Sequence, residues 1–404
     1  METESIGDEV GNIFVVMSKK NDILFVNGHL NVGGVERSLV DTLKHLDYNK
    51  HNVDLLLLED LGDYVCEIPE QVNIILQDTR AAYGPIVSTL WRNLKNRDWF
   101  SLKFRIARLA NRLFGGIGYK WLNALLVSKK YYDVAIANRV GISADIVAHS
   151  IIANKKICWW HHGAIRQSDN LTQLDYFDHV IAVSNGVKNM LIQHRQNLAN
   201  NIAVIPNMVD VEQICALGAS GANPYSDDGA LKFITVGRIV IEKHIENVVE
   251  AAVRLRADGR LNFKWYVVGD GELYDDIAKR IREANIEEQV ILCGRKPNPY
   301  PYIKYADMMV HTSHIESQGL VIQEAMALGT PCVVTRSVGP SEFIVDGENG
   351  VMVEPDVDSL VDGIYRLAKD KVLQNKIITN GRNTLSHGYT PEVVIEKIEK
   401  LITE

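Results

Sequence analysis

The sequence predicts an α/β protein built from two doubly wound parallel sheets that face each other across a cleft. Short apolar runs alternate with stretches of helical periodicity along the 404 residues, which is the pattern of repeated strand–helix units. The chain is too long for one ordinary hydrophobic core and has the length of two domains.

The strands of both sheets are predicted from continuously apolar runs, as expected for buried parallel strands. In the first half these runs are DILFV, VDLLLL, VNIIL, YDVAIA, KKICWW, HVIAV and IAVIP. In the second half they are KFITV, KWYVV, QVILC, DMMVHT and PCVVT. Ligands of open parallel sheets bind beyond the carboxyl ends of the strands, so the loops that follow these runs are expected to carry the functional residues.

A small, polar segment marks the boundary between the two domains. GASGANPYSDDG, residues 218–229, is the best linker candidate. The predicted division is an N-terminal extension (1–20), a first doubly wound domain (21–210), a linker (211–230), a second doubly wound domain (231–385) and a C-terminal helix (386–404) able to pack back on the first domain.

Composition and charge exclude several classes of protein. The sequence contains no apolar run of about 18 residues, the length needed to span a bilayer. The acidic start METESIGDEV lacks the basic residues of a secretory signal. Five scattered cysteines offer neither a zinc-ligand spacing nor a CxxC pair. These features predict a cytoplasmic protein, and the net charge of −8 argues against general nucleic-acid binding.

Two cations follow the first strand of the second half. Arg238 and Lys243 lie in the crossover after KFITV; Arg238 directly follows Gly237, and Lys243 comes five residues later. Backbone N–H groups and a helix dipole favour anions at such a position. Two fixed cations there can hold a diphosphate and stabilise its charge as a sugar bond breaks, without a metal. For an isolated pair, a solvated arginine and lysine on an ordinary loop is the alternative.

Two glutamates follow the strand DMMVHT. Glu316 lies in a loop, and Glu324 lies in the helix that begins near Gly319, whose missing side chain lets a ligand approach free backbone N–H groups. One carboxylate can accept hydrogen bonds from sugar hydroxyls and the other from ribose hydroxyls. Both could instead be surface glutamates, although the apolar neighbours of Glu324 (VIQEAMAL) argue against its full exposure.

Several segments together resemble the retaining GT-B glycosyltransferases of family 4. The segments are TVGRIVIEK, VVGDGEL, VILCGRKPNPYPYIKYADMMVHTSHIESQGLVIQEAMALGTPCVVT and GPSEFIVDGENGVMVEP. The family hallmark is a pair of glutamates separated by seven residues, matched by Glu316 and Glu324. The likeness is dense over about residues 230–355 and looser from 22 to 210. It implies a GT-B fold of two Rossmann-like domains and transfer of a hexose from a nucleotide diphosphate sugar, in the first instance a UDP-sugar, with retention of configuration and without a metal or other cofactor.

The resemblance also implies roles for individual positions. Arg238 and Lys243 would bind the donor diphosphate, Glu316 the transferred hexose, and Glu324 the ribose. Further donor contacts are implied at Gly33, Gly34, Gly237, Gly294, Arg295, Gly319, Leu320 and Val321. His244 departs from the pattern, because the family usually has glycine after the Glu-Lys pair.

Two features of the first half are consistent with this implied function. The strand DILFV runs into a glycine-rich turn at Gly33 and Gly34, which in the family closes on the donor phosphates; a tight turn that merely requires glycine is the alternative. The strand KKICWW ends in two histidines before Gly163, where a ligand-facing site is expected. Similar enzymes place a histidine near the reacting face of the donor sugar. His162 is the candidate and His161 the reserve, and a metal held by both is disfavoured because adjacent side chains on a strand point to opposite faces.

Residues 91–130 form a basic, aromatic stretch with ten Lys/Arg and one acid. Leucine and isoleucine recur there at helical spacing, and so do Arg105, Arg108 and Arg112. These three and Lys103 are the candidate cations of an acceptor or membrane surface. Such a helix can lie in the headgroup region of an anionic membrane, or pack on the domain core with its arginine stems over apolar surface. The first interpretation predicts a peripheral location on the inner face of the cell membrane and a glycan or lipid-linked acceptor.

Two other functions remain open. A non-catalytic GT-B partner subunit would usually lack several donor-site groups, whereas Arg238, Lys243, Glu316 and Glu324 are all present. A nucleotide-sugar epimerase would convert the donor without an acceptor. The missing GxGxxG spacing counts against a dehydrogenase.

Overall fold

The computed structural model describes residues 20–82, 84–114, 118, 121, 130–167 and 169–404. The predicted N-terminal extension, apart from Lys20, lies outside these residues. Two parallel sheets, of seven and six strands, alternate with helices in the described part of the chain. The predicted α/β fold class is therefore confirmed.

The first sheet has the strand order β3-β2-β1-β4-β5-β6-β7. Its strands are β1 (Asn21–Asn27), β2 (His51–Leu57), β3 (Val72–Leu76), β4 (Tyr132–Ala137), β5 (Ala153–Trp160), β6 (His179–Ala182) and β7 (Ile202–Val204). The helices of this half are α1 (Gly34–His45), α2 (Ile86–Lys95), α3 (Trp99–Phe114), α4 (Ile142–His149) and α5 (Asn185–His194). The strand order reverses between β1 and β4, which opens a crevice at the carboxyl ends of these strands.

The second sheet has the order β10-β9-β8-β11-β12-β13. Its strands are β8 (Leu231–Val236), β9 (Phe263–Val268), β10 (Val290–Gly294), β11 (Met308–His311), β12 (Cys332–Thr335) and β13 (Val351–Val353). The helices that follow β7 are α6 (Val211–Ala219), α7 (Glu246–Asp258), α8 (Tyr274–Glu283), α9 (Tyr300–Lys304), α10 (Leu320–Leu328), α11 (Val357–Lys369), α12 (Lys371–Ser386) and α13 (Pro391–Thr403). The order reverses between β8 and β11, so the loops that leave these two strands share one crevice.

The chain crosses between the two halves twice. The segment predicted as a linker, 211–230, contains α6, which packs on the second half; a Cβ on its Gly218 would lie 2.6 Å from Leu328 Cδ2. The last helix, α13, packs on the core of the first sheet. There Glu399 Oε2 lies 2.6 Å from His51 Nε2, and Lys155 Nζ donates to the carbonyl of Leu401 at 3.0 Å.

Candidate donor-binding site

The loops that leave β8 and β11 meet at an ion pair. The ammonium of Lys243 contacts the carboxylate of Glu316. His311, the last residue of β11, places Nε2 3.0 Å from Oε1 of the same carboxylate. Thr312 Oγ1 donates to the carbonyl oxygen of Lys243 at 2.8 Å. The two residues that were predicted to bind the diphosphate and the hexose thus lie at one point of the crevice.

The surroundings of Glu316 keep its carboxyl group ionised. Its side chain is 11% exposed, and burial alone would raise its pKa. The charge of Lys243 and the hydrogen bond from His311 outweigh burial, and the net effect is a lowered pKa. An ionised carboxylate only accepts hydrogen bonds, which suits it to contact with sugar hydroxyls.

His244, which replaces the family's usual glycine, keeps a glycine-like backbone. It has φ 47° and ψ 49°, in the left-handed region, which costs a non-glycine residue about 1–2 kcal/mol. Its ring stacks on His314 with the centroids 3.5 Å apart, and its Nδ1 lies 3.0 Å from Glu246 Oε1. These contacts hold the His244 side chain, while its backbone stays in the left-handed region directly after Lys243.

The start of α10 faces the glycine-rich turn of the first half. Gly319 caps the helix with φ 86° and ψ 51°, a conformation that glycine adopts without steric cost. Leu320 and Val321, which follow it, are half-buried. A Cβ on Gly34 would lie 3.7 Å from Leu320 Cδ1. Gly33 is the N-cap of α1 in extended backbone.

The exit loop of β5 packs directly on the Glu316 loop. A Cβ on Gly163 would lie 2.7 Å from the carbonyl carbon of Glu316, so glycine is required for this approach. Of the two histidines before Gly163, His161 is 8% exposed and its ring stacks on Trp159. Burial lowers the pKa of His161 to about 3.

His162 lies in the same part of the crevice as Arg238. Burial lowers the pKa of His162, and the positive charges of Arg166 and Arg238 contribute to the shift. The imidazole is therefore held neutral and can donate or accept a hydrogen bond. Arg238 itself is exposed, one residue beyond Gly237.

Glu324 lies in a different environment. Tyr300 donates its phenolic hydroxyl to Glu324 Oε1 at 3.3 Å, and burial raises the pKa of Glu324 to about 7. A small cavity borders it, lined also by Arg37 and Asp41 from α1.

Arg37 is fixed in place on the first-half wall of this cavity. Its guanidinium donates to the two carboxylate oxygens of Glu67 at 2.8 and 2.7 Å. It also lies over the ring of Tyr64, 4.2 Å from the centroid. A fixed planar cation can orient an anion or a polar ring in the cavity.

Arg295 makes a contact that the sequence did not indicate. It follows Gly294, which ends β10 at φ 66°, and its guanidinium pairs with Asp63 of the first half. The carboxylate of Asp63 also accepts from the backbone N–H of Val32 at 3.1 Å. Arg295 therefore connects the end of β10 to the glycine-rich turn across the crevice.

The cations predicted for an acceptor or membrane surface lie on α3, and they are not equivalent. Lys103 is exposed and Arg108 is half-buried. Arg105 donates to the backbone carbonyls of Ala82 and Gly84 at 3.1 and 2.6 Å, so it stabilises the fold. The side chain of Arg112 lies outside the described residues.

Sequence reasoning missed three residues of the site: His311, Tyr300 and Arg37. His311 had a usable signal, because it is the last residue of a buried parallel strand, where ligand-facing side chains are expected. Tyr300 and Arg37 had none, because only the fold places the phenol against Glu324 and the guanidinium in the lining of the same cavity. Among the described residues, no group of three or more His, Cys, Asp or Glu side chains is arranged to hold a metal ion.

Comparisons with known proteins agree with this geometry. The family described as Glycosyltransferase Family 4 matches residues 32–213, and Glycosyl transferases group 1 matches residues 223–384. The chain is a GT-B glycosyltransferase of family 4. The resemblance drawn from its motifs is thereby confirmed.

The relatives are moderately distant. The lipopolysaccharide core biosynthesis glycosyltransferase LpsE of Rhizobium meliloti is 28% identical over 241 residues, 59% of this chain and 68% of that protein. The N-acetylgalactosamine-N,N'-diacetylbacillosaminyl-diphospho-undecaprenol 4-alpha-N-acetylgalactosaminyltransferase of Campylobacter jejuni is 26% identical over 364 residues, 87% of this chain and 93% of that protein. The crystal structure of Anabaena HepE with UDP and glucose has a TM-score of 0.72 at 18% identity and covers 95% of this glycosyltransferase and 100% of HepE. This likeness confirms the GT-B fold.

Proposed function

We propose that this glycosyltransferase moves a hexose from a UDP-sugar to a glycan or lipid-linked acceptor and retains the anomeric configuration. The observation that carries the proposal is the contact of Lys243 and His311 with the ionised carboxylate of Glu316, at the shared carboxyl end of β8 and β11. The proposal is supported by the Campylobacter relative, whose name describes transfer to a diphospho-undecaprenol substrate, and by HepE, which was crystallised with UDP and glucose.

Lys243 and Arg238 are assigned to the donor diphosphate. An ammonium carries three N–H donors, so Lys243 can donate hydrogen bonds to Glu316 and to a phosphate oxygen at the same time. Cations that hold the diphosphate stabilise the charge that develops on it as the sugar bond breaks. Because these side chains supply the positive charge, we expect transfer without a divalent metal.

The reaction requires one bond to form and one to break on the same face of the sugar. The acceptor hydroxyl oxygen bonds to the anomeric carbon as the bond from that carbon to the diphosphate oxygen breaks. The electron pair leaves with the diphosphate, which also takes the hydroxyl proton. Glu316 accepts hydrogen bonds from the hexose hydroxyls, and neutral His162 contacts the sugar from the first half.

Glu324 is assigned to the nucleoside end of the donor. The cavity beside it is lined by Arg37, Asp41 and Tyr300. Ribose hydroxyls would donate to the Glu324 carboxylate. Gly294 and Arg295, at the end of β10, are assigned to the base, which requires Arg295 to turn from Asp63 or to bind while paired with it.

A lipid-linked acceptor is supported by the outer surface of α2 and α3. Large apolar side chains are exposed on both helices: Val87 (76%), Trp91 (68%), Leu94 (54%), Trp99 (55%), Ile106 (44%) and Leu113 (72%). Exposed tryptophans beside cations such as Lys103 are typical of proteins that lie in the headgroup region of anionic membranes. No helix among the described residues is sufficiently long and apolar to cross a bilayer. We propose peripheral binding at the inner face of the cell membrane.

A panel of nucleotide sugars tests the reaction. Each donor is scored for nucleotide release with a lipid-diphosphate glycan acceptor and for thermal stabilisation of the protein, because a bound donor raises the melting temperature by mass action. We expect one UDP-hexose to give both signals, an α-linked product and full activity in a chelator. An isomerised donor without acceptor would indicate an epimerase, and binding without turnover would indicate a non-catalytic subunit.

Vesicle co-sedimentation tests the membrane surface separately. The variant Trp91→Ser/Trp99→Ser should bind phosphatidylglycerol vesicles several-fold more weakly than the wild type. The control variant Val253→Ser/Val372→Ser removes exposed apolar side chains from the second half, 40% and 79% exposed, and should bind normally. Equal sedimentation of both variants would contradict the assignment.

A further inference from the structure

Four uncharged polar side chains form a buried hydrogen-bonded chain between the two halves. They are exposed by only 5% or less: Ser38 (3%), Asn207 (5%), Gln318 (2%) and Gln323 (0%). Ser38 belongs to α1 of the first half, Asn207 to the segment after β7 where the chain first crosses over, and Gln323 to α10. Gln318 lies in the loop between Glu316 and Gly319.

Gln318 is the centre of this chain. Its Oε1 accepts from the backbone N–H of Asn207 at 2.7 Å, and its Nε2 donates to the carbonyl of the same residue at 2.9 Å. Through its second hydrogen, Gln318 Nε2 also donates to Gln323 Oε1, at an N–O distance of 2.8 Å. The carboxamide offers a donor and an acceptor side by side, so the side chain pairs with Asn207 as a neighbouring strand would. Burial makes each of these bonds costly to lose.

The loop that carries Glu316 has little other freedom. A Cβ on Gly163 would lie 2.7 Å from the carbonyl carbon of Glu316, and a Cβ on Gly339 would lie 2.4 Å from that of Ser317. Gly339 N–H also donates to the Glu316 carbonyl at 3.0 Å. Backbone thus encloses the loop on two sides, and Gln318 fixes its end to the crossing segment.

The chain continues into the helix behind the glycine-rich turn. Asn207 Oδ1 accepts from Ser38 Oγ at 2.7 Å, and Ser38 lies one turn into α1, which begins directly after Gly33. The loop that carries Glu316 is therefore linked, through Gln318 and Asn207, to the element of the first half that faces α10.

We propose that Gln318 is a positioning residue that sets the place of Glu316 relative to the first half. The inference rests on the proposed function, because it takes Glu316 to contact the hexose. Gln318 itself touches no donor group in this assignment. Its effect is on the alignment of the hexose with an acceptor held by the first half. Arg238 and the backbone of Lys243 lie in the loop after β8 and not in the Glu316 loop, so binding of the diphosphate should change much less.

The variant Gln318→Met tests the proposal. Methionine has a similar length but makes none of the three bonds. We expect kcat for transfer to fall about 10- to 100-fold, as for a small displacement of a reacting group, while the Kd for UDP changes less than about threefold. The control is Gln374→Met on α12, which lies away from the crevice. Gln374 is also a buried glutamine, and its Nε2 donates to the Leu367 carbonyl at 2.6 Å. It should lower the melting temperature and leave kcat unchanged.

A milder variant covers the case in which Gln318→Met fails to fold. Gln323→Met removes one bond of Gln318 and leaves its pairing with Asn207, so kcat should fall less, again with UDP binding retained. An unchanged kcat in the folded variants would overturn the proposal, as would a parallel loss of kcat and UDP binding. If the wild type transfers no hexose from any donor, the proposed function fails. If the wild type and Gln318→Met both transfer hexose at the same rate, only the inference about Gln318 is rejected.

Discussion

Glu316 and Glu324 are separated by seven residues, yet their surroundings shift their pKa values in opposite directions. Burial disfavours the charge of both carboxyl groups. At Glu316 a cation and a histidine outweigh burial, and the carboxylate stays ionised. At Glu324 burial prevails. The hydrogen bond from the neutral phenol of Tyr300 and the charge of the nearby Arg37 lower the pKa only in part, Asp41 adds repulsion, and the pKa rises to about 7. The partners of each group, not its burial, decide the difference.

The contrast corresponds to two tasks in the proposed reaction. A carboxylate that is ionised at every physiological pH is a constant acceptor for hexose hydroxyls. A carboxyl group with a pKa near 7 is ionised or protonated according to pH and to what binds beside it. Changes at Glu316 should therefore affect catalysis at all pH values, and changes at Glu324 should affect nucleotide binding in a pH-dependent way.

The largest effect is expected from Lys243→Met. It removes a cation from the diphosphate and leaves Glu316 without its opposite charge, so we expect kcat/KM to fall at least about 1000-fold. The measurement is initial-rate transfer with the donor identified by the panel. Lys279→Met, on the exposed face of α8 where the side chain is 65% exposed, removes the same charge and should be neutral. A loss below tenfold would separate Lys243 from the chemistry.

Glu316→Gln should cost about 100- to 1000-fold in kcat, the range for loss of one transition-state contact. The amide keeps the shape of the side chain but not its charge, so hexose hydroxyls lose a strong acceptor. The control is Glu242→Gln in the same loop as Lys243, where Glu242 pairs with Arg166 at 3.2 Å. Near-normal turnover in Glu316→Gln would remove the basis for contrasting the two glutamates.

Glu324 should make UDP binding depend on pH. Ribose hydroxyls donate to the ionised form, so with a pKa of about 7 affinity should rise about 10-fold from pH 6 to pH 8. Glu324→Gln should lack this response, and comparison with it cancels the titration of UDP itself. Calorimetric titration at several pH values measures both. Parallel profiles in the two proteins would contradict the assignment.

The Glu324 carboxyl group should also make the free energy of unfolding depend on pH. Its contribution should fall as pH rises, whereas a carboxylate with a lowered pKa contributes more as pH rises. Because the folded pKa of Glu324 lies above its unfolded value, the folded state holds more protons between about pH 4.5 and 7, and stability falls as pH rises through that window. The contribution is about 3 kcal/mol at most. Asp41, whose pKa burial raises to about 6, acts in the same direction. Glu324→Gln should therefore have a higher melting temperature than the wild type at pH 8 but not at pH 5. If the two proteins differ in melting temperature by the same amount at both pH values, the pKa assignment is rejected.

The sequence predicted the elements of the site better than their contacts. Both sheets were predicted from apolar runs, except β13 (Val351–Val353), which is only three residues long. Lys243 and Glu316 each follow a parallel strand, so the rule for such sheets was enough to expect both at the carboxyl edge. That their strands, β8 and β11, are neighbours is a finding of the structure. Their ion pair was not predicted, since spacing along the chain carries no information on which charges satisfy each other.

Contacts that depend on how the two halves meet could not be predicted at all. Arg295 pairs with Asp63, and Gln318 with Asn207, across more than a hundred residues. Within the first half, the partners of Arg105 were equally unpredictable. Helical periodicity placed Arg105 among the surface cations, but its guanidinium donates to the carbonyls of Ala82 and Gly84. Periodicity assigns a residue to a face, whereas the partner on that face comes from another part of the fold.

His311 gives the smallest and most specific test of the environment of Glu316. In His311→Asn the hydrogen bond to Oε1 is lost because the side chain is shorter, but the Lys243 charge remains, so the pKa of Glu316 should stay below its ordinary value. We expect kcat/KM to fall only about three- to tenfold at pH 7.5, and the acidic limb of its pH profile to move to higher pH. If His311→Asn were as damaging as Lys243→Met, the histidine rather than the cation would be what keeps the carboxylate ionised and in place.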